Sequence, residues 1–129
     1  MSQIKIYGLR SRLLPRREQV SELIHSCVVE AFDYPRSKKF HRFFYFDEGD
    51  FIFPSDRTDN YTIIEIALFE GRSLAAKKKL YRLLFDRFDE VLDIKPLDLE
   101  ITLTETPKHN WGIRGQPGDE LGLGYVVEV

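Results

Sequence analysis

The stretch from residue 61 to residue 92 restricts the fold more than any other part of the chain. Apolar side chains alternate to both faces over residues 61–69, which is the pattern of a strand covered on both sides. Gly71 interrupts this run, and Ser73 is a favourable N-cap for a helix. Apolar residues then recur at three- and four-residue steps: Ala76, Leu80, Leu83, Leu84, Phe88 and Val91. The stretch therefore predicts a strand, a tight turn and an amphipathic helix.

This turn places Arg72 between the carboxyl end of a strand and the amino end of a helix. Free backbone N–H groups and the helix dipole favour small anions at such a position in α/β layers. Arg72 is accordingly a candidate anion-binding residue. The alternative is a solvated loop charge.

A similar order of elements precedes this stretch. The pattern predicts strands at residues 3–7, 40–46 and 99–104, and a first helix that ends near Phe32 before Asp33-Tyr34-Pro35. The loop after the first strand contains Leu9-Arg10-Ser11 and the central turn contains Gly71-Arg72-Ser73, an offset of 62 residues (72 minus 10). We interpret the chain as one domain over residues 1–129, with β-α-β repeats over about 1–60 and 61–115 and a C-terminal hairpin or tail at 116–129, which ends in a short strand.

Two such units predict an α+β fold. Right-handed crossovers would give a four-stranded mixed sheet with two helices on one face. The other face would carry apolar side chains, which a small domain does not leave exposed: Ile63, Ala67, Phe69 and members of the aromatic segment Phe40, Phe44 and Phe46. The free face of the sheet therefore predicts an oligomer.

Composition narrows the function classes. A formal net charge of −2 over 129 residues gives no reason to expect nucleic acid binding. The apolar runs are too short to span a bilayer, and the first residues lack the apolar region of a signal peptide, so we expect a cytoplasmic protein without a membrane partner. The single cysteine, Cys27, lies on an apolar helical stripe and is expected to be a buried, inert thiol.

The second half resembles the tautomerase superfamily, the group that contains 4-oxalocrotonate tautomerase. The resemblance rests on Glu70-Gly71-Arg72-Ser73 at the start of the helix, on Leu99-Glu100-Ile101-Thr102-Leu103-Thr104-Glu105, and on Trp111-Gly112-Ile113-Arg114-Gly115. The two-unit layout is most similar to fused members such as malonate semialdehyde decarboxylase and cis-3-chloroacrylic acid dehalogenase. The resemblance implies a tautomerase/MIF-like fold and a homotrimer with its sheets turned inward.

The chemistry of that family depends on an amino-terminal proline, exposed when the initiator Met is removed, which moves protons on a small oxo or unsaturated acid. This sequence has Ser2 after Met1. Removal of Met1 would leave a primary α-amine, with a reference pKa of about 7.7–8.0 that burial lowers. Ser2 is therefore the first catalytic candidate, with altered chemistry.

The other functional positions of the family match this sequence to different degrees. Arg72 matches the turn arginine that holds the substrate carboxylate, to which a guanidinium can form a bidentate pair. Trp111 matches an aromatic wall that excludes water, and Arg114 in the same hairpin is a further substrate-binding candidate. Arg42 roughly matches a strand arginine, and Lys38 stands where decarboxylase-type members have an acidic residue; both are further substrate-binding candidates. Glu100 occupies the place of the equivalent arginine in the second half, so a second site looks lost.

The three histidines have no metal-ligand spacing, and no metal or cofactor is expected. We interpret His25 as a surface or half-buried helix residue. His41, beside Arg42, is the second catalytic candidate as a general acid or base, and His109 is an alternative. Either histidine could instead have a structural hydrogen-bonding role.

Two functional hypotheses remain. The first is an enzyme, an isomerase or related lyase, that transfers a proton on a small carboxylate bound at Arg72. The second, motivated by Ser2, is an inactive tautomerase-fold homotrimer that binds a small carboxylate or serves as a scaffold.

Overall fold

The computed structural model describes residues 2–129. The first half forms the strand β1 (Ser2–Leu9), the short helix α1 (Arg10–Leu13), the helix α2 (Arg17–Phe32) and the strand β2 (His41–Phe46). The second half forms the strand β3 (Thr62–Phe69), the helix α3 (Leu74–Leu92) and the strand β4 (Leu99–Thr106). Two short strands, β5 (Gly112–Ile113) and β6 (Gln116–Pro117), pair as a hairpin, and single 3₁₀ turns cover residues 14–16, 96–98, 108–110 and 118–120.

The four long strands form one mixed sheet in the order β2-β1-β3-β4. β1 is parallel to β2 and β3 is parallel to β4, whereas the central pair β1 and β3 is antiparallel. The helices α2 and α3 share one hydrophobic core with the side of the sheet that carries Ile4, Ile6, Ile64 and Ile66. The predicted α+β fold of two β-α-β units is therefore confirmed.

The two halves repeat with an offset of 60 residues. Ile4 is paired with His41 in the first half, and Ile64 is paired with Ile101 in the second, so both members of the pair differ by 60 (64 minus 4 and 101 minus 41). The predicted offset of 62 is wrong by two residues. By this count the first-half counterpart of Arg72 is Arg12.

Both helices end in the same way. Asp33 and Asp93 follow α2 and α3 in the left-handed region, with φ of 49° and 55°. A left-handed residue at this place closes the last helical turn. At the start of α3 the Ser73 hydroxyl accepts a hydrogen bond from the Ala76 N–H, as its N-cap position predicts.

Three local expectations are corrected. The basic segment after β1 is helical over residues 10–13 rather than a loop, and the predicted final strand at 125–129 is an irregular tail that packs on the domain. Phe69 lies on the free side of β3 but is fully buried, because Trp111 and Val127 cover it. The free face is therefore smaller at this end than the sequence suggests.

The rest of that face is aromatic and partly exposed. Tyr7 stacks on Phe44 and Phe46, with ring centroids 5.0 and 6.2 Å apart, and Phe44 is 39% exposed. Tyr7 also donates a hydrogen bond to Glu65, which raises the pKa of the tyrosine to about 12. Within residues 2–129 no helix is long and apolar enough to cross a membrane.

Candidate functional site

The candidate site lies at one end of the sheet, where both halves of the chain meet. Ser2 begins β1 and is paired with Leu68 near the end of antiparallel β3. The turn with Arg72 follows β3 directly, and α2 ends on the same side of the molecule at Phe32. The fold therefore brings the first described residue close to the arginine that the sequence singled out.

Ser2 is buried, and its backbone nitrogen donates a hydrogen bond to the Tyr34 hydroxyl at 3.1 Å. Tyr34 is buried as well and follows the left-handed residue Asp33. Its own N–H donates to the Val29 carbonyl at 3.2 Å, and Pro35 comes next in the chain. Because its backbone is restrained on both sides, Tyr34 holds its hydroxyl in a defined place.

Arg72 is a buried cation, with only 5% of its surface exposed. One terminal nitrogen, Nη1, donates to the Phe69 carbonyl at 3.2 Å, and the guanidinium lies 5.2 Å from the centre of the Phe32 ring. Its Nε has no hydrogen-bond partner, and no carboxylate of residues 2–129 forms an ion pair with it. A buried charge is normally paired, so the absence of a carboxylate partner keeps Arg72 a candidate anion-binding residue, as the sequence predicts.

The C-terminal tail covers this arginine. Tyr125 lies beside Arg72 and packs edge-on against Tyr34, with ring centroids 5.2 Å apart. Burial raises the pKa of the Tyr125 hydroxyl to about 12, and the nearby Tyr34 adds to this effect while Arg72 opposes it. Tyr125 is therefore a neutral phenol at neutral pH.

Val127 anchors the tail on the turn. Its side chain is 1% exposed and packs on Phe69. Gly71, at φ +135°, permits this approach, because an added Cβ would lie 3.0 Å from a Val127 methyl group. A backbone oxygen of Val129 accepts a hydrogen bond from the Ser73 N–H at 3.0 Å. The tail thus closes the site from one side.

Two further predicted residues line this region. The Lys38 ammonium lies 5.7 Å from the centre of the Tyr125 ring, which is cation–π distance. Trp111 packs edge-on against Phe69 with ring centroids 5.1 Å apart, and its indole N–H donates to the Thr106 hydroxyl at 2.7 Å. Trp111 therefore packs on the last residue of β3, and its role as an aromatic wall of the site stays a prediction.

The remaining candidates lie elsewhere. Arg42 is an exposed residue of β2 paired with Lys5, on the free face of the sheet. Arg114 is exposed in the β5–β6 hairpin, at φ 53°, and donates a long hydrogen bond of 3.5 Å to the Gly122 carbonyl. No described contact joins either residue to Ser2 or Arg72, so their substrate-binding roles stay predictions.

His41 lies on the helix side of the sheet, paired with Ile4 of β1. Its Nδ1 is 2.7 Å from the Ser21 hydroxyl, and its ring lies 6.1 Å from that of His25. Burial, with a smaller contribution from Lys39, lowers the pKa of His41 to about 4. At neutral pH the ring is uncharged and a weak base, and the general acid or base role stays a prediction.

The other reactive side chains, those of His25 and Cys27, are buried in the domain. His25 is buried, with its Nε2 2.7 Å from the Arg36 carbonyl, rather than half-exposed as expected. Cys27 is buried, and this burial raises the pKa of its thiol, in agreement with the predicted inert role. Residues 2–129 contain no group of three or more His, Cys, Asp or Glu side chains that could hold a metal ion.

Three residues of the site escaped the sequence analysis: Phe32, Tyr34 and Tyr125. Phe32 and Tyr34 were interpreted only as the end of a helix, and Tyr125 as the start of a strand. One signal was available for Tyr34: the first-half sequence Phe-Asp-Tyr-Pro resembles the second-half Leu-Asp-Ile-Lys-Pro, and a tyrosine replaces an isoleucine. A polar residue at an apolar position of a repeat indicates a special role.

The arrangement combines a buried nitrogen, a buried cation and an aromatic wall. Tyr125 joins the two parts of this arrangement, because it lies against both Arg72 and Tyr34, whose hydroxyl accepts a hydrogen bond from the Ser2 nitrogen. Such a geometry suits proton transfer next to a carboxylate.

Solved structures share this fold. A malonate semialdehyde decarboxylase superimposes with a TM-score of 0.79 and 19% identity, covering 89% of this chain and 93% of the other. A fused 4-OT, solved as an asymmetric trimer, gives a TM-score of 0.81 and 21% identity over 93% of this chain and 98% of its own. A member of the cis-3-chloroacrylic acid dehalogenase family gives 0.76 and 21% over 92% and 87%. At these identities the likeness concerns the fold.

Sequence relatives lead to the same group. The probable tautomerase YrdN of Bacillus subtilis is 28% identical over 113 residues, which cover 80% of this chain and 87% of the relative. The probable tautomerase YusQ of the same organism is 24% identical over 99 residues, covering 73% and 78%. Residues 38–114, more than half of the chain, match the family model described as tautomerase enzyme. The chain belongs to the tautomerase family.

Proposed function

We propose that this protein is a tautomerase-like enzyme that transfers a proton on a small oxo or unsaturated carboxylic acid. Arg72 binds the carboxylate, and the Ser2 nitrogen, freed as an α-amine by removal of Met1, is the proton-transfer group. Lys38 and Trp111 complete the pocket. The chemistry differs from that of a proline amine because the Ser2 amine is primary.

The observation that carries this proposal is the burial of Arg72 without a carboxylate partner. A buried guanidinium without a carboxylate partner is unfavourable, and folding would be served as well by an apolar side chain. A guanidinium with an unpaired Nε instead offers charge-assisted hydrogen bonds to a planar carboxylate. The site therefore supports a carboxylate ligand.

The Ser2 amine suits the chemistry because it is buried. Burial disfavours the charged form and lowers its pKa from the reference value of about 7.7–8.0, so that a neutral base is available near neutral pH. In ketonisation the neutral amine takes the hydroxyl proton of the bound enol acid and delivers a proton to the carbon at the other end of the enol, which leaves the oxo acid and the neutral amine. Trp111 and Phe69 keep bulk water from the intermediate.

Arg72→Ala tests this assignment. In protein whose intact mass shows that Met1 is absent, the variant is expected to lower kcat/KM for the ketonisation of phenylpyruvate enol or 2-hydroxymuconate by about 100-fold or more, as is usual when one partner of a buried charge pair is removed. Arg12→Ala is the matched control, because Arg12 is the exposed counterpart of Arg72 in the first half. Equal activity of the Arg72 variant and the control would remove Arg72 from the site.

The proposed assembly is a homotrimer in the cytoplasm. The aromatic face around Tyr7, Phe44 and Phe46 is partly exposed, and apolar surface of this kind is normally covered. The fused 4-OT with the same fold is a trimer. Light scattering is expected to give three times the mass of the chain, and Phe44→Glu is expected to lower that mass.

The position of the C-terminal tail over Arg72 favours a second function, which is binding without catalysis. Tyr125 and Val127 close the Arg72 region in this structure, as would suit a protein that binds a small carboxylate or serves as a scaffold without catalysis. This alternative predicts binding of a small acid by calorimetry and no acceleration of ketonisation. Turnover by the purified protein that is lost in Arg72→Ala would exclude it.

A further inference from the structure

The Tyr34 hydroxyl is the hydrogen-bond partner of the Ser2 nitrogen, at 3.1 Å. Both residues are buried, so water does not readily replace the contact. The tyrosine is fixed by the helix end at Asp33 on one side and by Pro35 on the other. The contact is therefore a built feature of the fold rather than a chance approach of two flexible side chains.

The second half of the chain provides an internal comparison. With the offset of 60 residues, Ser2 corresponds to Thr62 and Tyr34 corresponds to Ile94. Ile94 also follows a left-handed aspartate, and its N–H donates to the Phe88 carbonyl of the preceding helix at 3.0 Å, one residue further back than the counterpart of the Val29 carbonyl that Tyr34 uses, so the two helix ends are similar. Ile94 is fully buried and has no hydroxyl. The hydroxyl thus occurs beside Ser2 and not beside its counterpart Thr62.

We infer that Tyr34 is the positioning residue for the proton-transfer nitrogen: its hydroxyl holds the freed Ser2 α-amine so that the nitrogen lone pair points toward a substrate bound at Arg72. This inference rests on the function proposed above. A primary amine rotates freely about its bond to Cα, and each orientation directs the lone pair differently. One fixed acceptor for an N–H removes that freedom before the substrate arrives.

Charged and titratable groups from other elements surround this pair. Tyr125 approaches from the tail, Arg72 from the turn after β3, and Lys38 reaches the Tyr125 ring from the segment after α2. The two cations disfavour the protonated amine. The Tyr34 oxygen favours it, because it accepts a hydrogen bond from the charged form. Loss of the hydroxyl should therefore lower the pKa of the amine.

Tyr34→Phe tests the inference, since it removes the hydroxyl and keeps the ring. In protein shown by intact mass to lack Met1, the ¹³C shift of the Ser2 Cα reports titration of the α-amine after selective labelling of serine. We expect the amine pKa to fall by about one pH unit, the size of a hydrogen bond to a charged group. Tyr61→Phe is the control, because Tyr61 is similarly buried at the opposite end of the sheet and should leave the titration unchanged.

Kinetics separate positioning from a merely structural role. Tyr34→Phe is expected to lower kcat about 10-fold with little change in KM, because Arg72 still binds the carboxylate. The limb of the pH profile that reports the amine should move to lower pH by the same amount as the NMR titration. Tyr34→Ile, which copies the second half, should give the same shift, so that the effect is assigned to the hydroxyl.

The outcomes distinguish this inference from the proposed function. An unchanged amine pKa in both Tyr34 variants would overturn the role of Tyr34, whether or not the enzyme turns over. A shifted pKa without any turnover in the wild type would retain the Tyr34 contact and overturn the proposed reaction. Turnover by protein that retains Met1 would overturn the Tyr34 role, because Ser2 would then have no free amine.

Discussion

The two ends of the central strand pair belong to equivalent places of the repeat but contain different side chains. At one end Ser2, Tyr34 and Arg72 surround a site closed by the C-terminal tail. At the other end the counterparts are Thr62, Ile94 and Arg12, reached by adding or subtracting 60. That end encloses a cavity of only about 10 Å³ among residues that include Arg12, Arg16 and Thr62.

The difference lies in how each arginine is accommodated. Arg12 is half-exposed and forms a loose ion pair with Asp59 at 3.8 Å, so its charge is solvated. Arg16 fills the space beside it and donates to the Leu92 carbonyl and the Asn60 side chain at 2.8 and 3.0 Å. The counterpart of Arg16 in the second half is Ala76, whose short side chain does not fill the corresponding space near Arg72. One end is thus filled by an arginine of its own half, and the other is covered by the C-terminal tail.

Val127→Ala tests that contrast at the closed site. The change removes two methyl groups from a fully buried contact with Phe69, and we expect the free energy of unfolding to fall by about 2–3 kcal/mol. The tail should then separate more often from the turn. Arg72 should also react faster with an arginine-selective dicarbonyl reagent, as measured by peptide mass mapping.

Val126→Ala is the control for this prediction. Val126 is the adjacent residue of the tail and is 63% exposed, so its truncation should change stability by less than about 0.5 kcal/mol. If the two variants unfold alike and Arg72 reacts at the same rate in both, Val127 does not hold the site closed.

The fold could be predicted from the sequence because its signals are local. Alternation over residues 61–69, the glycine at 71 and the N-cap at Ser73 each specify an element, and the structure contains all of them. The repeat offset was wrong by two residues because Arg10 and Arg72 look alike in sequence. The strand register, which depends on packing across the sheet, identifies Arg12 instead.

The site was predicted only in part, because its contacts are long-range. Arg72 and Trp111 belong to motifs near one strand, and both contact Phe69 in the structure, Arg72 at the backbone carbonyl and Trp111 at the ring. Tyr34 and Tyr125 meet only after the sheet has formed, since they are separated by most of the chain. The alternation at the C-terminus resembled a strand, but Tyr125 and Val127 use it to bury side chains around the Arg72 turn.

The dependence of stability on pH should distinguish the two edge strands, β2 in the first half and β4 in the second. His41 corresponds to Ile101, and burial lowers the pKa of His41 to about 4, against about 6.5 in an unfolded chain. Between these two pKa values the unfolded state therefore binds a proton at His41 that the native state does not bind. Stability should be complete above pH about 6.5 and should fall, by about 1–2 kcal/mol for this partly screened group, as the pH decreases to about 4.

His41→Ile copies the second half and is expected to flatten this dependence, measured by urea unfolding at a series of pH values. Ser21, His25 and Lys39 are the neighbours of this histidine and are unchanged in the variant. His109→Gln is the control, because His109 is exposed in the turn at residues 108–110. A slope that persists in His41→Ile would assign the acid sensitivity to another group.

The substitutions with the smallest expected effect test whether the two helices end in equivalent ways. Asp33 and Asp93 both adopt left-handed φ values after their helices, a conformation that glycine tolerates better than aspartate. Asp33→Gly and Asp93→Gly should each raise the free energy of unfolding by about 0.5 kcal/mol, after the greater flexibility of glycine in the unfolded chain is subtracted. Asp93→Gly also loses an exposed ion pair with Lys95, which contributes little. A gain at Asp93 with a loss at Asp33 would show that the first helix end depends on its aspartate, and that the repeat is not equivalent where it positions Tyr34.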